Sequence, residues 1–272
     1  EFVKDEWLDK MFAVMALCPQ HTFQVLTKRA ERMREYFRRM AIEACGEDGA
    51  WAPRRLDQPA CDLSGSPCAA GYLEDVPWPL KNVWLGVSCE RQQEADERIP
   101  LLLQTPAAVR FVSLEPLLGP IDLYHGDPDP RLGGHYATET YIGDWWPAGA
   151  PKNAPSTHGL DWVIAGGESG PNARPAHPDW FRSLRDQCDA ADVAFFFKQW
   201  GEWRPPVEGE FYNTLHGRVG KPPAFIIEAN GNVHCTAFTA GMTNAKIVIR
   251  VGKKSAGRLL DGREHNDMPG RV

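Results

Sequence analysis

Five short apolar runs in this sequence are each followed by residues able to carry charge or donate a hydrogen bond. Thr27-Lys28-Arg29 follows the first, Ser88-Cys89-Glu90 the second and Glu115-Pro116 the third. Gly166-Gly167-Glu168-Ser169-Gly170 follows the fourth, and Lys198-Gln199-Trp200 the fifth. If the runs are parallel strands of one α/β fold, their C-terminal ends converge on a single crevice, the place where such folds bind ligands. Lys28 and Lys198 would then face Glu115 and Glu168, shifting one another's ionisation and fixing the orientation of a polar ligand. Ion pairs closing the top of a barrel account for the same charges.

The glycines at 166 and 167 come directly after a strand. There they let the backbone approach a ligand closely and offer amide donors to an anionic group, or else they form a plain tight turn. Neither a Gly-x-Gly-x-x-Gly fingerprint nor a Gly-Lys-Ser/Thr phosphate loop is present. Ser169 lacks a Gly-x-Ser-x-Gly elbow and no histidine lies near a strand end, which disfavours a hydrolase with a nucleophile–base pair. Cys61 and Cys68, with Cys45 upstream, could hold zinc, but their spacing departs from that of common zinc modules, and no metal ligand is assigned. Cys18 and Cys188 fall on apolar helix faces and read as core.

Two basic clusters stand out, Lys28, Arg29, Arg32, Arg34, Arg38 and Arg39 in the first crossover, and Arg250, Lys253, Lys254, Arg258 and Arg263 near the C-terminus. With Trp145, Trp146, Trp200 and Trp203 they form the basis of a nucleic-acid-binding alternative, in which the aromatics stack on bases. Solvated helix faces and core tryptophans explain the same residues.

The elements that must position these groups are legible as continuous apolar runs at 22–26, 82–87, 109–114, 161–165 and 193–197, the pattern of strands buried on both faces. Helical periodicity lies between several of them. It spans 5–17, with Trp7, Leu8, Met11, Phe12 and Met15 on one stripe, then 31–42, 95–104 with Pro100 inside it, and 178–191 behind Pro178. Strand–helix alternation implies right-handed parallel crossovers. The expected fold is therefore α/β, a partial TIM-like barrel over 1–203 with insertions at about 45–79 and 124–159. A β-rich extension follows over 204–272, with a hairpin around Asn230-Gly231, a strand at 246–251 and a short closing helix at 253–260. Because a helix precedes the first strand, one or two leading strand–helix units are expected to lie before Glu1, the alternative being an open sheet that simply begins with a helix.

The 272 residues suffice for one such domain. A net charge of −6 excludes a protein that coats nucleic acid through a broad positive field, though not one with a local basic groove. No run of 18 apolar residues appears, so no membrane span is expected, and seven scattered cysteines suit a reducing cytoplasm.

Six segments together carry a family resemblance: 23–29, 82–88, 111–118, 161–170, 197–201 and 252–262. They resemble a family of uncharacterised bacteriophage and bacterial proteins known as a domain of unknown function, with Ala30 standing where that pattern has proline after Lys-Arg. That family looks like a divergent relative of radical S-adenosylmethionine barrel enzymes whose cysteine motif near the N-terminus ligates an iron–sulfur cluster. The resemblance implies S-adenosylmethionine and such a cluster in a full-length protein, with no cluster motif in this chain, which would then be inactive alone. It places the cofactor against Ser88, Glu90, Glu115, Gly166, Gly167, Glu168 and Ser169. Substrate, small or macromolecular, falls to Lys28, Arg29, Lys198, Gln199 and Trp200. The remaining alternative is a phage-derived module that binds nucleic acid or protein without catalysis.

Overall fold

The computed structural model describes residues 3–43, 52–124, 140–145, 157–207, 210, 224–234 and 241–270. In chain order the elements are α1 (Asp5–Leu17), β1 (Phe23–Thr27), α2 (Ala30–Glu43), a 3-10 turn (Arg54–Leu56), α3 (Asp57–Ser64), α4 (Cys68–Leu73), β2 (Val83–Ser88), α5 (Gln92–Leu103) and β3 (Val109–Leu114). There follow β4 (Asp144–Trp145), β5 (Thr157–His158), β6 (Trp162–Gly166), α6 (Pro178–Ala190), β7 (Ala194–Gln199), β8 (Trp203–Arg204), β9 (Ala224–Ile227), β10 (Val233–His234), β11 (Lys246–Arg250) and α7 (Lys253–Ala256).

The fold is mixed α/β. A five-strand parallel sheet has the order β1-β2-β3-β6-β7, and a smaller antiparallel sheet has the order β10-β9-β11-β8. The parallel strands follow one another without a reversal, which is also the order of neighbours in a βα barrel; the described strands form a sheet with β1 and β7 at its ends. All five expected strands form within a residue or two of their apolar runs. Every residue of β2 and β6 is buried, as continuous runs require. In β1 and β7 exposure instead alternates along the strand, because successive side chains point to opposite faces and one face is less covered than the other.

The chain divides into two compact units, one of residues 1–87, 98–111 and 270–272, the other of 88–97 and 112–269. In the first, Phe12 of α1 stacks on Tyr36 (5.5 Å) and meets Phe37 of α2 edge-on (5.2 Å). Trp7 and Met11, expected on the same stripe, are about half exposed, so the buried face of α1 is narrower than the periodicity suggested. Asn82 Nδ2 donates to the carbonyls of Met15 (2.9 Å) and Cys18 (3.2 Å), satisfying orphan acceptors where α1 ends. The first insertion contains the 3-10 turn, α3 and α4. Its helices are too short to show a period, and residues 44–51 lie outside the described residues.

In the second unit α6 packs on β7. Phe181 lies 5.0 Å from Phe197 and 5.2 Å from Trp200, ring centre to ring centre. Phe181 is fully buried, and a phenylalanine so placed contributes about 1.5–3 kcal/mol. The N-terminus of α6 is capped by His177, whose ring accepts from Asp179 N, with Pro178 at the first helical position. The expected hairpin forms, pairing Val233 with Ile227, and Gly231 supplies the positive φ of its turn. The short closing helix, expected over 253–260, is one turn, Lys253–Ala256, ended by Gly257. Gly257 has φ +68, a conformation that L residues rarely adopt.

Candidate strand-end site

Two adjacent strand ends in the second unit repeat one arrangement. Ser88 and Glu90 are both buried, and Ser88 Oγ donates to Glu90 Oε1 at 3.3 Å. Beyond β3, Ser113 Oγ donates to Glu115 Oε2 at 3.4 Å, and Ser113 is buried as well. Residues two apart along an extended chain share a face, so each hydroxyl falls beside the carboxylate that follows it. The backbone joins the two motifs, since Cys89 N donates to Ser113 O (3.0 Å). Leu118 N closes onto Glu90 O (2.9 Å) and Leu117 N onto Gly166 O (3.0 Å).

Glu115 is held from three sides. Ser113 is one, and Lys198 Nζ stands 3.0 Å from Glu115 Oε2. The third is Gly166, where an added Cβ would overlap Glu115 Oε1, so the carboxylate lies directly across the end of β6. The Glu115 side chain is 15% exposed and that of Lys198 53%, leaving the ammonium largely in water.

Glu168, by contrast, is committed within its own loop. Both its oxygens accept from the Arg174 guanidinium (2.8 Å each), and Oε2 also accepts from Arg174 N (2.7 Å). These bonds, the guanidinium first, hold the Glu168 carboxyl below its ordinary range against the opposing effect of burial. Glu168 therefore does not join Glu115 and Lys198 in a shared charge set. Gln199 Nε2 donates to Ser169 Oγ at 3.2 Å.

Gly167 has a packing role. An added Cβ would run into the Trp200 carbonyl, and one on Gly201 would run into the Glu168 carbonyl. Gly167 N donates to Gln199 O (2.9 Å) and Glu202 N to Glu168 O (2.8 Å), so the loops after β6 and β7 are backbone-paired. These glycines admit neighbouring chain, where the sequence suggested ligand approach.

Trp200, expected near substrate, is buried in the α6–β7 core with its Nε1 donating to Leu259 O (2.8 Å). Trp203 is likewise buried, stacks on Phe225 (4.9 Å) and bonds Ala173 O (2.7 Å). Trp146 and the side chain of Trp145 lie outside the described residues. Lys28 and Arg29 are exposed and belong to the first unit. The other arginines of that basic crossover are engaged: Arg32 and Arg39 with Asp5, Arg38 with Glu35, and Arg34 with Gln104 (2.8 Å).

Sequence reasoning missed Ser113 and Arg174. The Ser-x-Glu spacing shared by 88–90 and 113–115 was an available signal for the first. The second sits in an irregular loop six residues beyond its partner, where no periodicity marks it.

The family described as "Protein of unknown function (DUF5131)" matches residues 1–269. The chain belongs to this family. Searches of curated proteins and of solved structures return no match. The family description gives no chemistry, so cofactors must be weighed against the residues themselves. Among the described residues no three His, Cys, Asp or Glu side chains are grouped to hold a metal ion, and Cys45 lies outside them. Cys188 is buried, which pushes its thiol up to about 12, and Cys89 is buried with its Sγ donating to Glu94 O (3.4 Å). The described residues therefore do not fit an iron–sulfur cluster. The strand-end set of two carboxylates and two hydroxyls can bond ammonium and hydroxyl groups in general. No helix among the described residues is long and apolar enough to cross a membrane.

Proposed function

We propose that the strand-end cluster of Ser88, Glu90, Ser113 and Glu115 binds a small polar molecule bearing amine and hydroxyl groups, with S-adenosylmethionine as the candidate. On this proposal the parallel strands are part of a TIM-like barrel of the radical S-adenosylmethionine kind. The observation that carries it is the duplicated Ser-x-Glu motif at the ends of β2 and β3, with hydroxyl and carboxylate 3.3–3.4 Å apart in each copy.

Each serine hydroxyl turns the carboxylate that follows it, and a carboxylate oxygen can accept more than one hydrogen bond. Glu115 accepts from an amine or hydroxyl beside its ion pair with Lys198, and the half-exposed ammonium remains wet enough to move aside. Glu90, more deeply buried, would bind the part of the ligand furthest from solvent. S-adenosylmethionine would supply a sulfonium centre next to these groups. The resemblance over six ordered segments supports this choice of ligand.

Isothermal titration of the full chain with S-adenosylmethionine tests the proposal. Saturable binding is expected, weakened about tenfold or more by Glu115→Gln, since a charge-assisted hydrogen bond contributes about 1.5–3 kcal/mol. No heat of binding, or binding indifferent to both Glu115→Gln and Glu90→Gln, would overturn it.

A further inference from the structure

The second unit holds an open recess of about 400 Å³ lined by Lys198, Gln199, Lys253, Lys254, Gly257 and Arg258. Four of its six lining residues are cationic and none is acidic. We infer that this recess is a binding site for a phosphate group, carried by a phosphorylated small molecule or by a polynucleotide backbone.

The recess is built rather than incidental. The one-turn helix α7 is pinned at both ends by glycines whose positive φ suits no other residue, Gly252 (+84) and Gly257 (+68). Gly252 N donates to Glu202 O (3.2 Å), and Gly257 O accepts from Trp200 N (3.2 Å). Trp200 Nε1 reaches the same segment at Leu259 O (2.8 Å), and Ala256 and Leu260 are buried beneath it. The two lysines are therefore displayed on backbone fixed to the end of β7, which lowers the ordering cost of binding an anion.

The charge balance points the same way. Lys198 is paired with Glu115. Arg258 lies 3.9 Å from Glu264, bonds Asn266 and covers the Phe196 ring at 5.1 Å. Lys253 and Lys254, both exposed, have no ion-pair partner among the described residues, in a chain whose net charge is −6. The nearby carboxylates are occupied elsewhere: Glu202 accepts from Gly170 N (3.2 Å), and Asp261 from Arg182 and Arg185 (2.7 Å each). Two uncompensated ammonium groups, a planar guanidinium and the Gln199 amide within one concavity match a tetrahedral oxyanion better than a carboxylate. Lys253 and Lys254 carry this site and take no part in the Ser-x-Glu motifs; Lys198 is the residue common to the two.

The test titrates the full chain separately with inorganic pyrophosphate and with a single-stranded DNA oligonucleotide. The wild type is compared with Lys253→Ala/Lys254→Ala and with Lys81→Ala, an exposed lysine of the first unit, as the control. Both lysines are exposed, so the double variant should retain its fold, checked by circular dichroism. Saturable binding of either probe, weakened about tenfold or more by the double variant but not by the control, and falling with added salt, is expected. Pyrophosphate binding would assign a small phosphorylated ligand, and oligonucleotide binding alone a polynucleotide. No saturable binding of either probe at about 1 mM, or binding that the double variant leaves intact, would overturn the inference.

Discussion

The carboxylate of Glu115 occupies the space that a Cβ on Gly166 would need. A glycine at the end of β6 is thus a condition for the position of an acid that follows β3, and the two residues should be mutationally coupled. Gly166→Ala must displace that side chain, at an expected cost of about 1–3 kcal/mol by analogy with overpacking. Gly167→Ala meets the fixed Trp200 carbonyl instead of a side chain, so its cost should lie at or beyond the top of that range. Urea unfolding of both variants measures this, and a Gly167→Ala protein as stable as wild type would refute the packing role.

His177 should make stability pH-dependent. Burial, the largest influence, holds its ring below the ordinary value of 6.5, and the ring both caps α6 and bonds Asn244 O at 2.8 Å. The unfolded chain therefore binds a proton before the folded one. The contribution is complete above the unfolded value and shrinks as pH falls below about 6.5 toward the folded one. His265 is lowered in the same direction, also by burial, so the readout is the difference between wild type and His177→Asn, which keeps a capping oxygen. As pH is lowered from about 7 to 5 the unfolding free energy should fall more steeply for wild type; parallel curves would remove His177 as the cause.

Tyr36 anchors the buried polar network of the first unit. Its hydroxyl donates to Asp9 Oδ1 at 2.8 Å while Arg55 holds Asp9 Oδ2 at 2.9 Å. Tyr36→Phe leaves a buried carboxylate one donor short, and a loss of about 1–3 kcal/mol is expected in chemical denaturation. A loss below about 0.5 kcal/mol would mean that the hydroxyl is not needed.

The arginines of α2 should not bind nucleic acid, because Arg32 is engaged by Asp5 and Arg38 by Glu35. Arg32→Ala combined with Arg38→Ala is expected to leave oligonucleotide affinity unchanged in fluorescence anisotropy, with a small loss of stability. A clear drop in salt-sensitive affinity would restore the basic crossover as an interface.

The large elements were readable because their causes are local. Continuous apolar runs mark strands covered on both faces, and the runs at 82–87 and 161–165 became the wholly buried β2 and β6. What escaped depends on pairs distant in sequence. The two-residue β8 exists only because Ile249 and Arg250 of β11 pair with it. The same holds at the site: Glu115 and Lys198 were read as facing charges and do meet. Glu168 was read into the same set but is taken by Arg174, and the glycines at 166 and 167 make room for Glu115 and the Trp200 backbone. No spacing rule reveals which backbone will pass over a glycine.

Hydrogen–deuterium exchange of the full chain with and without S-adenosylmethionine tests the central claim most directly. Slowed exchange is expected at the backbone amides of residues 88–91, 113–115 and 117–118, and it should vanish in Glu115→Gln. Absence of any protection, or protection confined to segments away from the ends of β2 and β3, would contradict the placement of a ligand at the duplicated Ser-x-Glu motif.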